Sequence, residues 1–175
     1  YVVRDKDVLC DSIAVGGAAH LILCDNTTLM ADAVTAAEHK QAGDPRWKRH
    51  LSHSVIYRKH GVDIKDSVFE TVRWMISEKM GLGGLWKFAG DGRRAVYLPT
   101  GQQILFRGLD DAQKSKSIKA PFGFFKYLWF EELTEYNGME EIRSVGQSIK
   151  RGGKRTIQFC TYNPPMTPND WVNEE

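Results

Sequence analysis

The chain has 175 residues, 42% hydrophobic and 26% charged, with a net charge of +2. These proportions fit one ordinary globular domain and exclude a disordered chain, a collagen and a coiled coil. No apolar run reaches the roughly 18 residues of a membrane span, and no basic-then-apolar leader precedes a small-residue cleavage site. The near balance of charge neither requires nor excludes a nucleic-acid partner. Cys10, Cys24 and Cys160 lack a metal-binding spacing and cannot all pair, which favours a reducing compartment. The first residue is Tyr1, so a piece of a longer chain is expected.

Texture changes along the sequence. Residues 1–50 hold eight of the twelve alanines but two of the nineteen aromatics, so they have little large apolar surface to bury. Leu21-Ile22-Leu23-Cys24 reads as a short strand. Ala31 to Ala42 reads as a helix stopped by Gly43 and Pro45. From Ser54 the signals sharpen. Val55-Ile56-Tyr57 is β-branched and aromatic, hence a strand. Ser67-Val68-Phe69-Glu70 fits a capping box, and Val68, Phe69, Val72, Met75 and Ile76 then share one helical face up to Gly81, Gly83 and Gly84. Ala95 to Leu98 and Gln103 to Phe106 flank Pro99-Thr100-Gly101-Gln102, a hairpin near 94–107. Phe125 to Phe130 is a buried strand. Met139, Ile142, Val145 and Ile149 form a second amphipathic helix, ended by Gly152-Gly153. Thr156 to Cys160 is a last strand, stopped by Pro164-Pro165. Strands alternating with helices predict an α/β domain with a largely parallel sheet.

The strongest chemical signal is Phe124 to Phe130 running into Glu131-Glu132. In open α/β sheets ligands bind beyond the carboxyl ends of strands. One carboxylate there can hold Mg²⁺, usually through water, and a second can orient or deprotonate an attacking water, the layout of a Walker B strand. The plainer reading is a solvated acidic loop. Thr161-Tyr162-Asn163 also follows an apolar strand. If the two strands are neighbours, Thr161 and Asn163 lie beside the carboxylates, where a hydroxyl or amide can sense a γ-phosphate; otherwise they are turn residues. Arg107 can reach a phosphate or act as an arginine finger, against a surface ion pair with Asp110 or Asp111. Lys114, Lys116 and Lys119 form a basic loop able to meet DNA or nucleotide phosphate, or simply water. His50 and His53, three apart, read as a surface feature. Cys160 reads as a small buried hydrophobe. The Gly-Lys-Ser/Thr of a phosphate-binding loop occurs nowhere in the chain.

From Val55 to the end the sequence resembles the N-terminal ATPase domain of the large terminase subunit of tailed bacteriophages, in its PBSX-type branch. The resemblance rests on Val55 to Lys59, Asp66 to Glu70, Pro99 to Asp111, Lys114 to Lys119, Gly123 to Leu133, Gly138 to Val145 and Tyr162 to Pro165, in order and at the expected spacing. It implies a P-loop NTPase-like fold over 55–175 and an ATP- and Mg²⁺-dependent motor that drives double-stranded viral DNA into a procapsid in the host bacterial cytoplasm. A small terminase subunit, the portal ring and a homo-oligomeric ring are the implied partners. A C-terminal nuclease would lie beyond Glu175. Under the resemblance Glu131 matches the Mg²⁺-associated acid and Glu132 the water-activating glutamate. Thr161 to Asn163 match the coupling motif, and Arg58 and Arg107 are basic positions of the pattern. The family's phosphate loop belongs near Cys24 to Met30, where Asp25 would repel phosphate. Residues 5 to about 50 are therefore expected to be inserted, recombined or frameshifted relative to the family, and 1–54 to be a divergent segment.

Overall fold

The computed structural model describes residues 52–110, 118–150, 156–167 and 170–174. The expected strand at 21–24, the helix at 31–42, His50, Asp111, Lys114, Lys116 and Gly152-Gly153 lie outside the described residues.

Six strands form one sheet. They are β1 (Ser52–Arg58), β2 (Trp86–Phe88), β3 (Arg94–Tyr97), β4 (Gln103–Gly108), β5 (Phe124–Phe130) and β6 (Ile157–Cys160), in the spatial order β2-β3-β4-β1-β5-β6. β4, β1, β5 and β6 run parallel, while β2 and β3 add an antiparallel edge. The α/β class and largely parallel sheet are as the sequence predicts. So is the hairpin, which turns at Gly101 with φ +78 and closes with Tyr97 N–H donating to Gln102 O at 2.8 Å. β2 carries only three residues and gave no pattern to read.

Helices cover both faces. One, α1, is continuous over 65–79, with an α-helical centre at Glu70–Trp74 between π-helical turns at Lys65–Phe69 and Met75–Lys79. Its wide turns show as Phe69 N–H to Ile64 O and Met80 N–H to Met75 O, both 3.0 Å. Gly81 (φ +65) takes the left-handed stop, and Leu82 N–H returns to Ile76 O at 2.9 Å. The expected capping box does not form. A capping residue needs extended backbone. The chain already coils from Gly61, so Ser67 sits inside the helix and its hydroxyl donates back to Asp63 O. The second helix, α2 (Met139–Ile149), buries Ile142, Val145 and Ile149, as its spacing predicts. A short α3 spans Trp171–Glu174.

Strand alternation sorts the core into two layers. Ile56, Ile104, Phe106, Tyr127 and Trp129 face α1, and Val55, Tyr57, Leu105, Leu128 and Phe130 face α2. Full burial of such a side chain is worth about 1.5–3 kcal/mol each. The chain leaves β1 toward β4 over one face and leaves β5 toward β6 over the other. β1 and β5 are therefore adjacent strands whose connections diverge, the topological switch point where open α/β sheets leave a crevice.

Candidate functional site

The crevice lies beyond Arg58, Phe130 and Cys160, the carboxyl ends of β1, β5 and β6. The backbone carries β5 one step further, because Glu131 N–H donates to Tyr57 O at 2.9 Å. Glu131 then meets Arg58, whose Nε lies 3.1 Å from Glu131 Oε2. Both groups are largely buried, with 12% and 16% of their side chains exposed. The pair is electrostatic only. The Nε–H does not point at the oxygen, and neither atom has a hydrogen bond. The same guanidinium donates from NH2 to Glu135 Oε1 at 3.0 Å and from NH1 to Ser67 Oγ at 3.2 Å. Burial raises the Glu131 carboxyl from 4.5 to about 7, and Arg58 opposes that rise.

Glu132 follows in the left-handed region, with φ 54 and ψ 59. Among the described residues it is the one non-glycine with positive φ. Such a conformation costs an L-residue roughly 1–2 kcal/mol and persists where the surroundings over-determine it. Here they do. Leu133 N–H donates to Thr161 O at 2.9 Å, and Thr161 N–H donates to Phe130 O at 3.0 Å. These two bonds zip the tips of β5 and β6 together around Glu132. Thr161 is thus beside the carboxylates through its backbone. Its side chain is buried, and its Oγ1 accepts from Trp129 Nε1 at 2.8 Å. Asn163 lies two residues on and is exposed.

Sequence reasoning did not find the rest of the frame. Lys59 Nζ grips both oxygens of Glu141 at 2.7 and 2.9 Å, tying the end of β1 to α2. Glu141 also accepts from Asn137 N–H at 3.0 Å. Glu135, four residues after Glu131, completes the Arg58 pairing. No local spacing announces contacts between residues some eighty positions apart.

Two expectations are corrected. His53 is not a surface feature: it is fully buried in β1. Its Nδ1 accepts from Gln103 N–H at 3.0 Å, so Nε2 carries the proton and donates to Phe122 O at 2.8 Å. Burial holds its pKa below 6.5. Arg107 does not pair with Asp110. Its NH1 donates to Phe106 O at 2.7 Å and Arg93 O at 3.0 Å, within the hairpin, while Asp110 Oδ2 accepts from Gly61 N–H at 2.9 Å. Cys160 is free and mostly buried, and burial raises its thiol pKa, in keeping with a small hydrophobe.

Residues 46–175 match the family model described as phage terminase large subunit. The chain belongs to that family. A curated relative, the terminase large subunit of Bacillus phage SPP1, is 40% identical over 115 residues, taking in 63% of this chain and 27% of that one. The chain thus spans little more than a quarter of that relative's length. Two solved structures are similar. The HK97 bacteriophage large terminase has a TM-score of 0.49 and 11% identity, over 70% of this chain and 26% of that one. The Phi-28 gp11 DNA packaging motor has a TM-score of 0.45 and 18% identity, over 67% of this chain and 40% of that one. Residues 1–45 fall outside the family match. In this terminase chain no helix among the described residues is long and apolar enough to cross a membrane.

Proposed function

We propose that this chain carries the ATPase core of a phage DNA-packaging terminase, coupling ATP hydrolysis to movement of double-stranded DNA into the procapsid in the host bacterial cytoplasm. The observation that carries this reading is the pair Glu131-Glu132 at the topological switch point, with Glu132 held in a left-handed turn by backbone bonds to the β6 tip. A left-handed residue that persists at a strand end motivates a functional reading of Glu132, and a carboxylate fixed there can serve as a general base.

In this reading Glu131 holds Mg²⁺ and Glu132 orients and deprotonates the attacking water. The donor set fits that ion. Mg²⁺ is usually held by one or two carboxylates with water and substrate phosphates filling the rest, and Glu131 offers such a carboxylate; its Oε2 already faces Arg58 Nε at 3.1 Å, so the ion would be held through water. When bound, Mg²⁺ neutralises charge on the phosphates. The chain's own residues do the remaining work. Arg58 keeps Glu131 from drifting. Thr161 and Asn163, joined to β5 through the Thr161 backbone, relay the state of the site to the loop beyond β6. Arg58 and Arg107 are the residues proposed to meet a phosphate or to act as an arginine finger; Arg58 is engaged with Glu131, Glu135 and Ser67, and Arg107 NH1 with the carbonyls of Phe106 and Arg93. The small terminase subunit and the portal are the further partners. The expected boundary at 54 falls inside β1, so the divergent segment we propose is residues 1–45; the composition break and the start of the family match at residue 46 support that division.

A second reading is favoured by one observation, the lack of any Gly-Lys-Ser/Thr in the chain. It makes the chain a non-catalytic module that keeps the fold. Calorimetric titration of the intact chain with Mg²⁺–ATP decides between them. Micromolar binding, weakened by Glu131→Gln, with turnover abolished by Glu132→Gln, supports the motor. No binding at millimolar nucleotide to a chain shown folded by circular dichroism establishes the second reading.

A further inference from the structure

The strand tips gather three buried polar atoms that make no hydrogen bond: Arg58 Nε, Glu131 Oε2 and the hydroxyl of Tyr136. Leaving a buried polar group unpaired costs more than a typical hydrogen bond gains, so three in one place call for a reason. Tyr136 closes the turn after Glu132, its N–H donating to Leu133 O at 3.2 Å. It is 3% exposed. Its ring packs edge-on against Phe130, the residue before Glu131, with centroids 5.9 Å apart and planes at 83°. The hydroxyl therefore ends among the charges of the tips, where Glu131, Arg58 and Glu135 all act on it. Burial first, and Glu131 next, push its pKa well above the ordinary tyrosine value, so it keeps its proton and stays a donor. Glu131, for its part, is an acceptor that Arg58 holds by charge alone. Arg58 is also committed to Glu135 and Ser67.

We infer that Tyr136 is a positioning residue for Glu131: its hydroxyl is the second partner of that carboxylate, taking it by a hydrogen bond when Arg58 turns away. A donor and an acceptor that are both unpaired in the present arrangement pair in the other, so the exchange recovers a bond that this arrangement leaves unmade. The exchange rests on the tips alone. Its use rests on the motor reading above: it releases Arg58 toward a nucleotide phosphate while Glu131 keeps its place for Mg²⁺. Tyr57 supplies the contrast. Its hydroxyl is buried and unpartnered in the same ring stack, 5.3 Å from Phe130 at 14°, but the charge that acts on it is Arg107, not a carboxylate.

The test is a set of urea melts of the intact chain in nucleotide-free alkaline buffer, where Glu131 is ionised. In the parent, Tyr136→Phe removes a hydroxyl that bonds nothing and should leave the midpoint level or raise it. In Arg58→Met the same substitution removes the remaining partner of Glu131 and should raise the unfolding constant on the order of tenfold. Adding Glu131→Met takes the acceptor away and should erase that difference. Tyr57→Phe should behave alike in both backgrounds. Arg58→Gln, which keeps a donor for Ser67 and Glu135, is a milder second background should Arg58→Met fold poorly. Phenylalanine keeps the packing of the ring, so a merely structural Tyr136 would give one cost in every background. The inference is overturned by a loss already present in the parent, by equal costs with and without Arg58, by a difference that outlives Glu131→Met, or by the same background dependence at Tyr57. No arm needs ATP. Failure of the chain to bind nucleotide would sink the motor reading and leave the exchange standing, whereas absence of the coupling would sink the exchange whatever the nucleotide does.

Discussion

The strand tips and the hairpin cleft treat charge in opposite ways. At the tips, Arg58, Lys59, Glu131, Glu135 and Glu141 are paired with one another, largely out of water. In the cleft, Arg93, Arg94 and Lys119 stand open. Paired charges fix geometry, and breaking one pair leaves the other member buried and uncompensated. Open cations contribute little to folding and are available to a ligand. The tips are therefore built to hold a shape, and the cleft beside the hairpin, lined by Arg93, Arg94, Arg107 and Lys119, leaves most of its cations open to solvent. Substitutions in the two regions should fail differently.

The regions join at Gly108, the last residue of β4. A Cβ there would lie 2.5 Å from both Cα and N of Gly61, which no side-chain movement relieves. Gly108→Ala should therefore cost about 3 kcal/mol or more, the largest effect expected of the substitutions considered. A lowered urea midpoint with unchanged m-value checks it. An unaltered midpoint would mean that the two loops are not in contact.

Within the tips, Arg58→Met should cost about 1–3 kcal/mol by stranding Glu131 and freeing Glu135 and Ser67. Adding Glu131→Gln should recover part of that loss, a coupling that a double-mutant cycle measures. Arg94→Ala in the cleft should stay within about 0.5 kcal/mol. Equal losses at Arg58 and Arg94 would erase the distinction between the regions.

Acid and base should separate the regions further. Glu131 binds its proton more tightly when folded, so its stabilising contribution is full below 4.5 and is lost as pH rises to about 7. His53, which pins the start of β1 to the β4 strand and the loop at Phe122, has the opposite sign. Its folded pKa lies below 6.5, so stability falls as pH drops below 6.5. Between 6.5 and 7 the downward slope belongs to Glu131. Urea midpoints across pH should show that slope in the parent chain and lose it in Glu131→Gln. A slope that survives the substitution would mean that another group titrates there.

Local pattern made the elements legible, and long-range pairing hid the site. The apolar run of β5, the spacing of α2 and the turn around Gly101 each carry their signal within a few residues. So did the position of Glu131-Glu132, because the apolar run of β5 must end where the carboxylates begin. The capping box misled because Ser67 sits at the right spacing from Glu70, while the coil that pre-empts it starts at Gly61. His53 misled because a buried neutral histidine needs one donor and one acceptor, and these come from Gln103 and Phe122, some fifty and seventy residues away. The cleft was half visible. Arg107 and Lys119 stood out as basic positions, but only the hairpin register brings Arg93 and Arg94 beside them.

A small expected gain bears most directly on what the tips are for. The hairpin region uses glycine where its backbone turns left-handed, at Gly92 (φ 70) and Gly101 (φ 78); the tip uses Glu132 (φ 54). Relief of a left-handed L-residue is worth roughly 1–2 kcal/mol, offset by the roughly 0.5–1 kcal/mol of extra chain entropy that glycine loses. Glu132→Gly should therefore stabilise the chain by a few tenths to about 1 kcal/mol. Glu132→Gln, with the same backbone, should change nothing. If the midpoints follow that order, the chain keeps a strained carboxylate where glycine would fold better, which is the signature of a side chain held for chemistry. If Glu132→Gly instead destabilises, the side chain supports the fold, and the case for Glu132 as the water-activating group loses its strongest physical support.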